Sequence, residues 1–299
     1  MPIVSKNSPL FISHRLKGFD AADATPRGLY SAINAGITAI EIDLRITKDK
    51  QIIINHDSHL FKQFGIDKYI AALTLYEIEH LQPNIAEDQR VLSLLHLFEI
   101  IASSSIYLFL DIKEYGYEVQ IIKLIDSFGL SDRVTIVSWL PESLLKVHEI
   151  APTLPLCFSH YPINNYREYL LRKTIIKTKN YIDKKVTNRK SPEQIEFHFN
   201  NYNRVNFSRY DAFEYRGNDY EHFVIHPLKG KLADVISASA GYICIHRGEI
   251  SKPIIKNAAA QGFRIMCYGI VNESHINQML KHDIDALLID SPIGLLHQS

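Results

Sequence analysis

Hydrophobic and polar positions along this chain alternate between two periods. Residues 10–13 form a short apolar run, and residues 26–36 then carry helical spacing closed by Gly36. Residues 39–47 switch to strict alternation: Glu41, Asp43 and Arg45 interleave with Ile40, Ile42, Leu44 and Ile46. Residues 51–55 read as a further extended run and residues 92–102 as a helix. Strand-like stretches recur at 106–113, 134–139, 154–158, 242–245, 264–270 and 286–289. Helix-like stretches at 117–128, 141–150, 233–240, 253–261 and 273–281 fall between or beside them. Pro141 suits a first helical turn, because its missing N–H needs no partner there.

Strands that alternate with helices of 10–15 residues imply βαβ units and a parallel sheet. About eight such strands predict an α/β fold, a closed (β/α)8 TIM barrel, over an open doubly wound sheet with a small second domain. No G-x-G-x-x-G follows the first strand, which weakens a dinucleotide-binding reading. The alternation breaks between residues 162 and 222 and then resumes in register, so one barrel spanning residues 1–299 with an insertion after about the fifth strand is expected. Insertions that follow barrel strands land on the active-site face, which predicts that 162–222 borders the pocket.

Composition sharpens this reading. The chain has 299 residues, long enough for a barrel of ~250 residues, and 46% of them are hydrophobic, so wholesale disorder is excluded. The formal net charge is zero, which argues against a surface built for nucleic acid. The zero conceals a local excess. Residues 172–190 hold eight Lys and Arg against the single acid Asp183, and 162–222 contains seven of the 16 Tyr. That run is either a solvated face or a contact for an anionic ligand or an anionic membrane surface. Cys157, Cys244 and Cys267 show no metal-ligand spacing and suit buried thiols in a reducing compartment. The start lacks a leader-like apolar segment, and no apolar run reaches the ~18 residues of a spanning helix. A soluble, cytoplasmic protein is the expectation.

The chemistry starts on the second strand. Side chains on a strand alternate between faces, so Glu41, Asp43 and Arg45 share one face and the aliphatic residues the other. The outer face of a barrel meets helices and must be apolar, so the charged face points into the barrel mouth. Two inward carboxylates are costly unless a cation or basic groups offset them. A hard divalent ion with oxygen ligands answers that need; an internal ion pair with Arg45 or Lys113 is the alternative. The next strand places Asp111 and Lys113 on one face at its C-terminal end, where barrel active sites sit. His14 and Arg15 follow the first strand, and His56 and Asp57 follow the 51–55 run. Histidine titrates nearest neutral pH, and arginine forks onto phosphate oxygens. Two histidines, three carboxylates, an arginine and a lysine at one mouth describe metal-assisted phosphoryl transfer.

Taken in order, His14-Arg15, Glu41-Ile-Asp43, Thr47-Lys-Asp49 and His56-Asp57 resemble the glycerophosphodiester phosphodiesterase domain, whose order is H-R, E-x-D, T-x-D-G, H-D, then E-x-K. Residues 138–144, 266–272 and 284–292 are similar to later motifs of that family. The resemblance implies catalytic roles for His14 and His56, and metal ligation by Glu41, Asp43 and Asp111. It implies substrate or phosphate contacts for Arg15, Lys113, Trp139 and Tyr268. The implied cofactor is Mg2+ or Ca2+, with Mn2+ as an alternative, and the implied partner is a small phosphodiester. The implied route is attack by a neighbouring substrate hydroxyl, giving a cyclic phosphate that water then opens.

Four places depart from the family pattern, one of them Asp23-Ala-Thr-Pro-Arg27 where the family has E-N-T. Leu16 replaces the glycine of H-R-G, Asp111 replaces a glutamate, and Tyr268 replaces a tryptophan. An aspartate at position 111 also resembles the sphingomyelinase D and phospholipase D toxins, which release cyclic phosphates. A cyclising lyase on the same fold, and a barrel that only binds a phosphate ligand, are therefore the competing expectations. His246-Arg247-Gly248 spells H-R-G more faithfully than residues 14–16, yet no E-x-D or H-D follows it at the right spacing.

Overall fold

The structure is a computed structural model, and it describes residues 9–20, 22–81, 85–163, 167, 168, 170, 171, 174 and 223–291. Its strands are β1 (Leu10–His14), β2 (Ala39–Ile46), β3 (Ile52–Ile54), β4 (Tyr107–Ile112), β5 (Val134–Ser138) and β6 (Leu156–Ser159). They continue with β7 (Tyr161–Ile163), β8 (Phe223–Ile225), β9 (Tyr242–His246), β10 (Arg264–Ile270) and β11 (Ala286–Ile289). Eight of them, β1, β2, β4, β5, β6, β9, β10 and β11, pair in parallel in that cyclic order, and β1 closes the ring by pairing with both β11 and β2. This is the (β/α)8 barrel that the alternation predicts. The run at 51–55 is not a barrel stave: β3 folds back antiparallel onto β2. The turn between them is built by Thr47, whose hydroxyl donates to Asp49 at 2.5 Å and accepts from the Gln51 N–H at 2.9 Å.

Period two sorts the barrel side chains into two cores. Ile40, Ile42, Leu44 and Ile46 point outward and join the large cluster formed with the surrounding helices. Ile12, Ala39, Tyr107, Phe109, Val137, Cys157, Tyr242, Cys244, Met266, Ala286 and Leu288 form a separate, inward cluster. All three cysteines are buried free thiols, as expected of packing residues. Arg264 lies over the Tyr242 ring at 4.1 Å, at the end of the barrel where β9 and β10 begin. The inward set is apolar near the strand starts and polar at their C-terminal ends. Following the same parity upward leads from Ile12 to His14, from Ala39 to Glu41 and Asp43, and from Phe109 to Asp111. The barrel's own periodicity thus collects polar groups at one mouth.

The helices follow local signals. Helix Pro26–Asn34 starts on Thr25, whose hydroxyl accepts from the Gly28 N–H at 3.1 Å, and Pro26 sits in its first turn. Helix Pro141–Ile150 matches the predicted bounds. Between β6 and β9, the two short strands β7 and β8 pair in parallel outside the barrel. Most of 162–222, and the basic run 172–190 apart from Thr174, lie outside the described residues. Among the described residues, no helix is long and apolar enough to cross a membrane.

Candidate active site

The site is assembled from strand ends. Asp43 and Asp111 are register partners across β2 and β4, and His14 is the partner of Glu41 across β1 and β2. This pairing brings one carboxylate oxygen from each of Glu41, Asp43 and Asp111 within 4.8 Å of the others. All three residues are buried. Glu41 Oε2 and Asp43 Oδ2 are buried oxygens that accept no hydrogen bond. Orphaned anionic oxygens in a buried acidic nest are costly, and they suit a hard cation with oxygen ligands.

Lysine and arginine offset part of the charge. Lys113 Nζ lies 2.8 Å from Asp43 Oδ1 and 2.6 Å from Asp111 Oδ2. Arg15 Nε stands 3.9 Å from Asp43 Oδ2. Burial by itself would raise the Asp43 carboxyl, but Lys113, His56 and Arg15 outweigh it and hold it far below the usual range. Glu41 goes the other way: burial and the charges of Asp43 and Asp111 push it well above the ordinary carboxylate value. Glu41 and Asp43, two residues apart on one strand, are thus pushed in opposite directions.

Each histidine has a carboxylate behind it. His14 Nδ1 is hydrogen-bonded to Asp290 Oδ1, and its Nε2 lies 3.6 Å from Glu41 Oε2. Lys17 Nζ donates to the other Asp290 oxygen at 2.8 Å. Burial lowers His14 to about 4, against the raising effect of Asp290. Burial would raise Asp290, but His14 and Lys17 hold it at about 2. His56 Nδ1 meets Asp57 Oδ1 at 2.6 Å, and that contact outweighs burial and holds Asp57 at about 2. In both pairs the Nδ1 contact leaves Nε2 for the reacting group. Arg15, Asp23, Asn55, His56, Asp57 and Lys62 line a cleft on this side of the mouth.

Sequence reading placed nine residues here, and the structure brings most of them together. His14, Arg15, Glu41, Asp43, His56, Asp111 and Lys113 form one connected set of contacts and fields. Trp139 and Tyr268 pair with each other at a ring-centroid distance of 6.3 Å, and Tyr161 joins them at 5.5 Å from Trp139. Of the two basic partners considered for the acids, Lys113 fills that role; Arg45 instead faces Glu114 and the His56 carbonyl. His246 is held at the end of β9, where its Nδ1 accepts from the Gly248 N–H at 3.1 Å and its ring packs on Tyr268. A Cβ on Gly269 would stand 2.6 Å from His246 Nε2, so the glycine gives this histidine its space. Asp290, Lys17 and Glu114 were not anticipated as site residues. Asp290 lies in the 284–292 stretch that carries a family-like motif, so a signal for it existed in the sequence.

Leu16 resolves one departure. Arg15 and Leu16 have φ of +58° and +55°, the left-handed region that favours glycine. The turn after β1 demands this backbone whichever residue stands there. Leu16 is fully buried in the main core, and that burial offsets a strain of ~1–2 kcal/mol.

Residues 14–293 match the model of the Glycerophosphoryl diester phosphodiesterase family. A Glycerophosphodiester phosphodiesterase of Caldanaerobacter subterraneus subsp. tengcongensis is 27% identical over 157 residues, which cover 49% of this chain and 65% of that protein. Lysophospholipase D GDPD1 of Homo sapiens is 31% identical over 67 residues, 22% of this chain and 21% of that protein. The chain thus spans just under two thirds of the first of these relatives and about a fifth of the second. Among solved structures, a putative glycerophosphodiester phosphodiesterase from Galdieria sulphuraria superposes with a TM-score of 0.65 at 16% identity, covering 99% of this chain and 98% of that one. An Oleispira antarctica phosphodiesterase, in complex with the product sn-glycerol-3-phosphate, superposes with a TM-score of 0.61 at 17% identity, covering 97% of each chain. At these identities the structural likeness speaks for the fold.

Proposed function

The chain belongs to the glycerophosphoryl diester phosphodiesterase family, and we propose that it hydrolyses glycerophosphodiesters to glycerol phosphate and an alcohol. The observation that carries this reading is the meeting of the Glu41, Asp43 and Asp111 oxygens within 4.8 Å beside two carboxylate-backed histidines.

Glu41, Asp43 and Asp111 are the residues that would hold a divalent ion, and their all-oxygen donor set favours Mg2+ or Ca2+. Such an ion supplies Lewis-acid stabilisation of charge on a phosphoryl oxygen. Arg15 and Lys113 bind the phosphate, Arg15 by its fork and Lys113 as a point charge. His14 and His56 divide the proton work. One accepts the proton of a neighbouring substrate hydroxyl as its oxygen attacks phosphorus. The other gives a proton to the departing alkoxide, which leaves as the alcohol. The resulting cyclic phosphate is opened by water with the two roles exchanged. Asp290 and Asp57 hold the imidazoles by Nδ1 and stabilise the imidazolium that forms. Trp139 and Tyr268 contribute an aromatic wall for one ester arm, and the basic run 172–190 contacts an anionic surface or ligand.

The test is turnover of glycerophosphodiesters and lysophospholipids by the purified protein with Mg2+ or Ca2+, with products identified by phosphorus NMR. Glycerol phosphate that is lost on adding EDTA, and lost in Glu41→Ala and His14→Ala, supports the reading. Accumulation of an unopened cyclic phosphate overturns it in favour of a lyase.

A further inference from the structure

Arg45 is the fully buried cation of β2, two residues beyond Asp43. Its Nε and Nη2 donate to one acceptor, the main-chain carbonyl of His56, at 3.1 and 2.7 Å. Its Nη1 donates to Glu114 Oε1 at 3.2 Å, and Glu114 is buried too. Burying a guanidinium is expensive, and a neutral carbonyl alone does not repay it. Glu114 supplies the counter-charge, and the planar fork fixes the carbonyl in two directions, as a lysine point donor would not. The same loop is held twice more: the Asn55 N–H donates to the Asp43 carbonyl at 3.1 Å, and the Asn55 side-chain amide donates to the Asp57 carbonyl. Glu114 directly follows Lys113 in the loop after β4. A single guanidinium therefore joins the loop that carries His56 to the loop that carries Lys113, from a base on the strand of Glu41 and Asp43.

We propose that Arg45 is a positioning residue for His56: by gripping the His56 carbonyl it sets the imidazole relative to the acidic nest, with Glu114 holding the guanidinium in place. This inference rests on the reading of His56 as catalytic. The imidazole is anchored at Nδ1 by Asp57, its own neighbour, so a shift of this loop moves the imidazole and its carboxylate together. A misplacement on the order of 1 Å costs roughly 100-fold in rate. The contacts described for Arg45 run to the His56 carbonyl and Glu114, so its loss is expected to leave metal binding and substrate affinity largely intact.

A double-mutant cycle tests this. Arg45→Met, His56→Ala and the pair are assayed on a glycerophosphodiester, with Mn2+ affinity and thermal unfolding followed in parallel. Arg45→Met is expected to lower kcat roughly 100-fold with KM and Mn2+ affinity nearly unchanged, and to cost almost nothing more once His56 is gone. Arg45→Lys recovers only part of the loss, because it restores charge without the fork. An equal loss in both backgrounds, or a collapse of Mn2+ affinity, overturns the proposal. Should Arg45→Met fail to fold, Arg45→Lys and Glu114→Gln carry the same cycle. If His56→Ala alone retains full activity, the catalytic reading of His56 falls instead, and the two failures are told apart.

Discussion

Lys113 Nζ stands 2.8 Å from Asp43 Oδ1, in the nest that three carboxylates form between β2 and β4. A divalent ion held there would compete with this side-chain cation for the same oxygens. Replacing Lys113 by methionine is expected to tighten Mn2+ binding at pH 8 by roughly tenfold or more, because a unit charge at this range is worth more than 1 kcal/mol. The same substitution lowers turnover on the order of 100-fold, through loss of a cation on the phosphate. Calorimetric titration and steady-state kinetics read the two effects, and weaker metal binding in Lys113→Met would contradict the shared site.

Metal binding is also expected to release protons. Burial and two neighbouring carboxylates raise Glu41 well above its ordinary range, so its carboxyl gives up a proton less readily than an ordinary carboxylic acid. A ligand must shed that proton to coordinate. Titrating Mn2+ in buffers of different ionisation enthalpy should give a release near one proton per ion, shrinking in Glu41→Gln. No buffer dependence would remove Glu41 from the ligand set.

Asp290→Asn tests the relay behind His14. The asparagine keeps the shape but offers no charge to an imidazolium, so kcat falls on the order of 100-fold or more while KM changes little. Far-ultraviolet circular dichroism and Mn2+ affinity should match the parent protein. A change confined to KM would argue that Asp290 acts on substrate instead.

Acid stability depends on a second histidine pair. His160 and His226 are buried with Nε2 atoms 2.7 Å apart and rings stacked within 13°. Burial lowers His160 to about 3 and His226 to about 4. The unfolded chain, with histidines near 6.5, binds protons that the folded chain refuses, so stability rises with pH through this interval. The stabilisation is complete above about pH 6.5 and falls away as pH drops toward 4. Tm is expected to decrease steadily from pH 7 to 5, and less steeply in His226→Gln, which retains a hydrogen-bonding partner for His160. A slope equal to the parent's would exclude the pair.

Leu16 allows a sharp comparison. At an ordinary core position alanine is more stable than glycine. Here φ is +55°, so glycine recovers ~1–2 kcal/mol of backbone strain that alanine keeps. Leu16→Ala and Leu16→Gly should both fall ~2–5 kcal/mol below the parent in urea unfolding, with glycine at least as stable as alanine. Alanine clearly ahead would show that the turn after β1 is not constrained.

The sequence makes the barrel and most of the mouth legible because both follow from period two. Alternation of Glu41, Asp43 and Arg45 with isoleucine and leucine says which face is inward, and a barrel turns that face into a site. Arg45 marks where such reasoning stops. Its parity is correct, yet its guanidinium grips a main-chain carbonyl besides Glu114, and a carbonyl leaves no trace in residue type. Asp290 was hidden for another reason: it is 276 residues from His14, and only closure of the ring makes them neighbours. The antiparallel course of β3 escaped for want of length, since three isoleucines look alike in either direction.

Closure of β1 on β11 has a consequence for the growing polypeptide. Asp290 is made 276 residues after His14, and Ser13 pairs with Ile289 in the seam between them. The nest residues on β2 and β4 are all synthesised while the carboxylate behind His14 is still to come. The Nδ1 partner of His14 thus enters only with closure of the ring, and a chain that stops before residue 290 lacks that hydrogen bond.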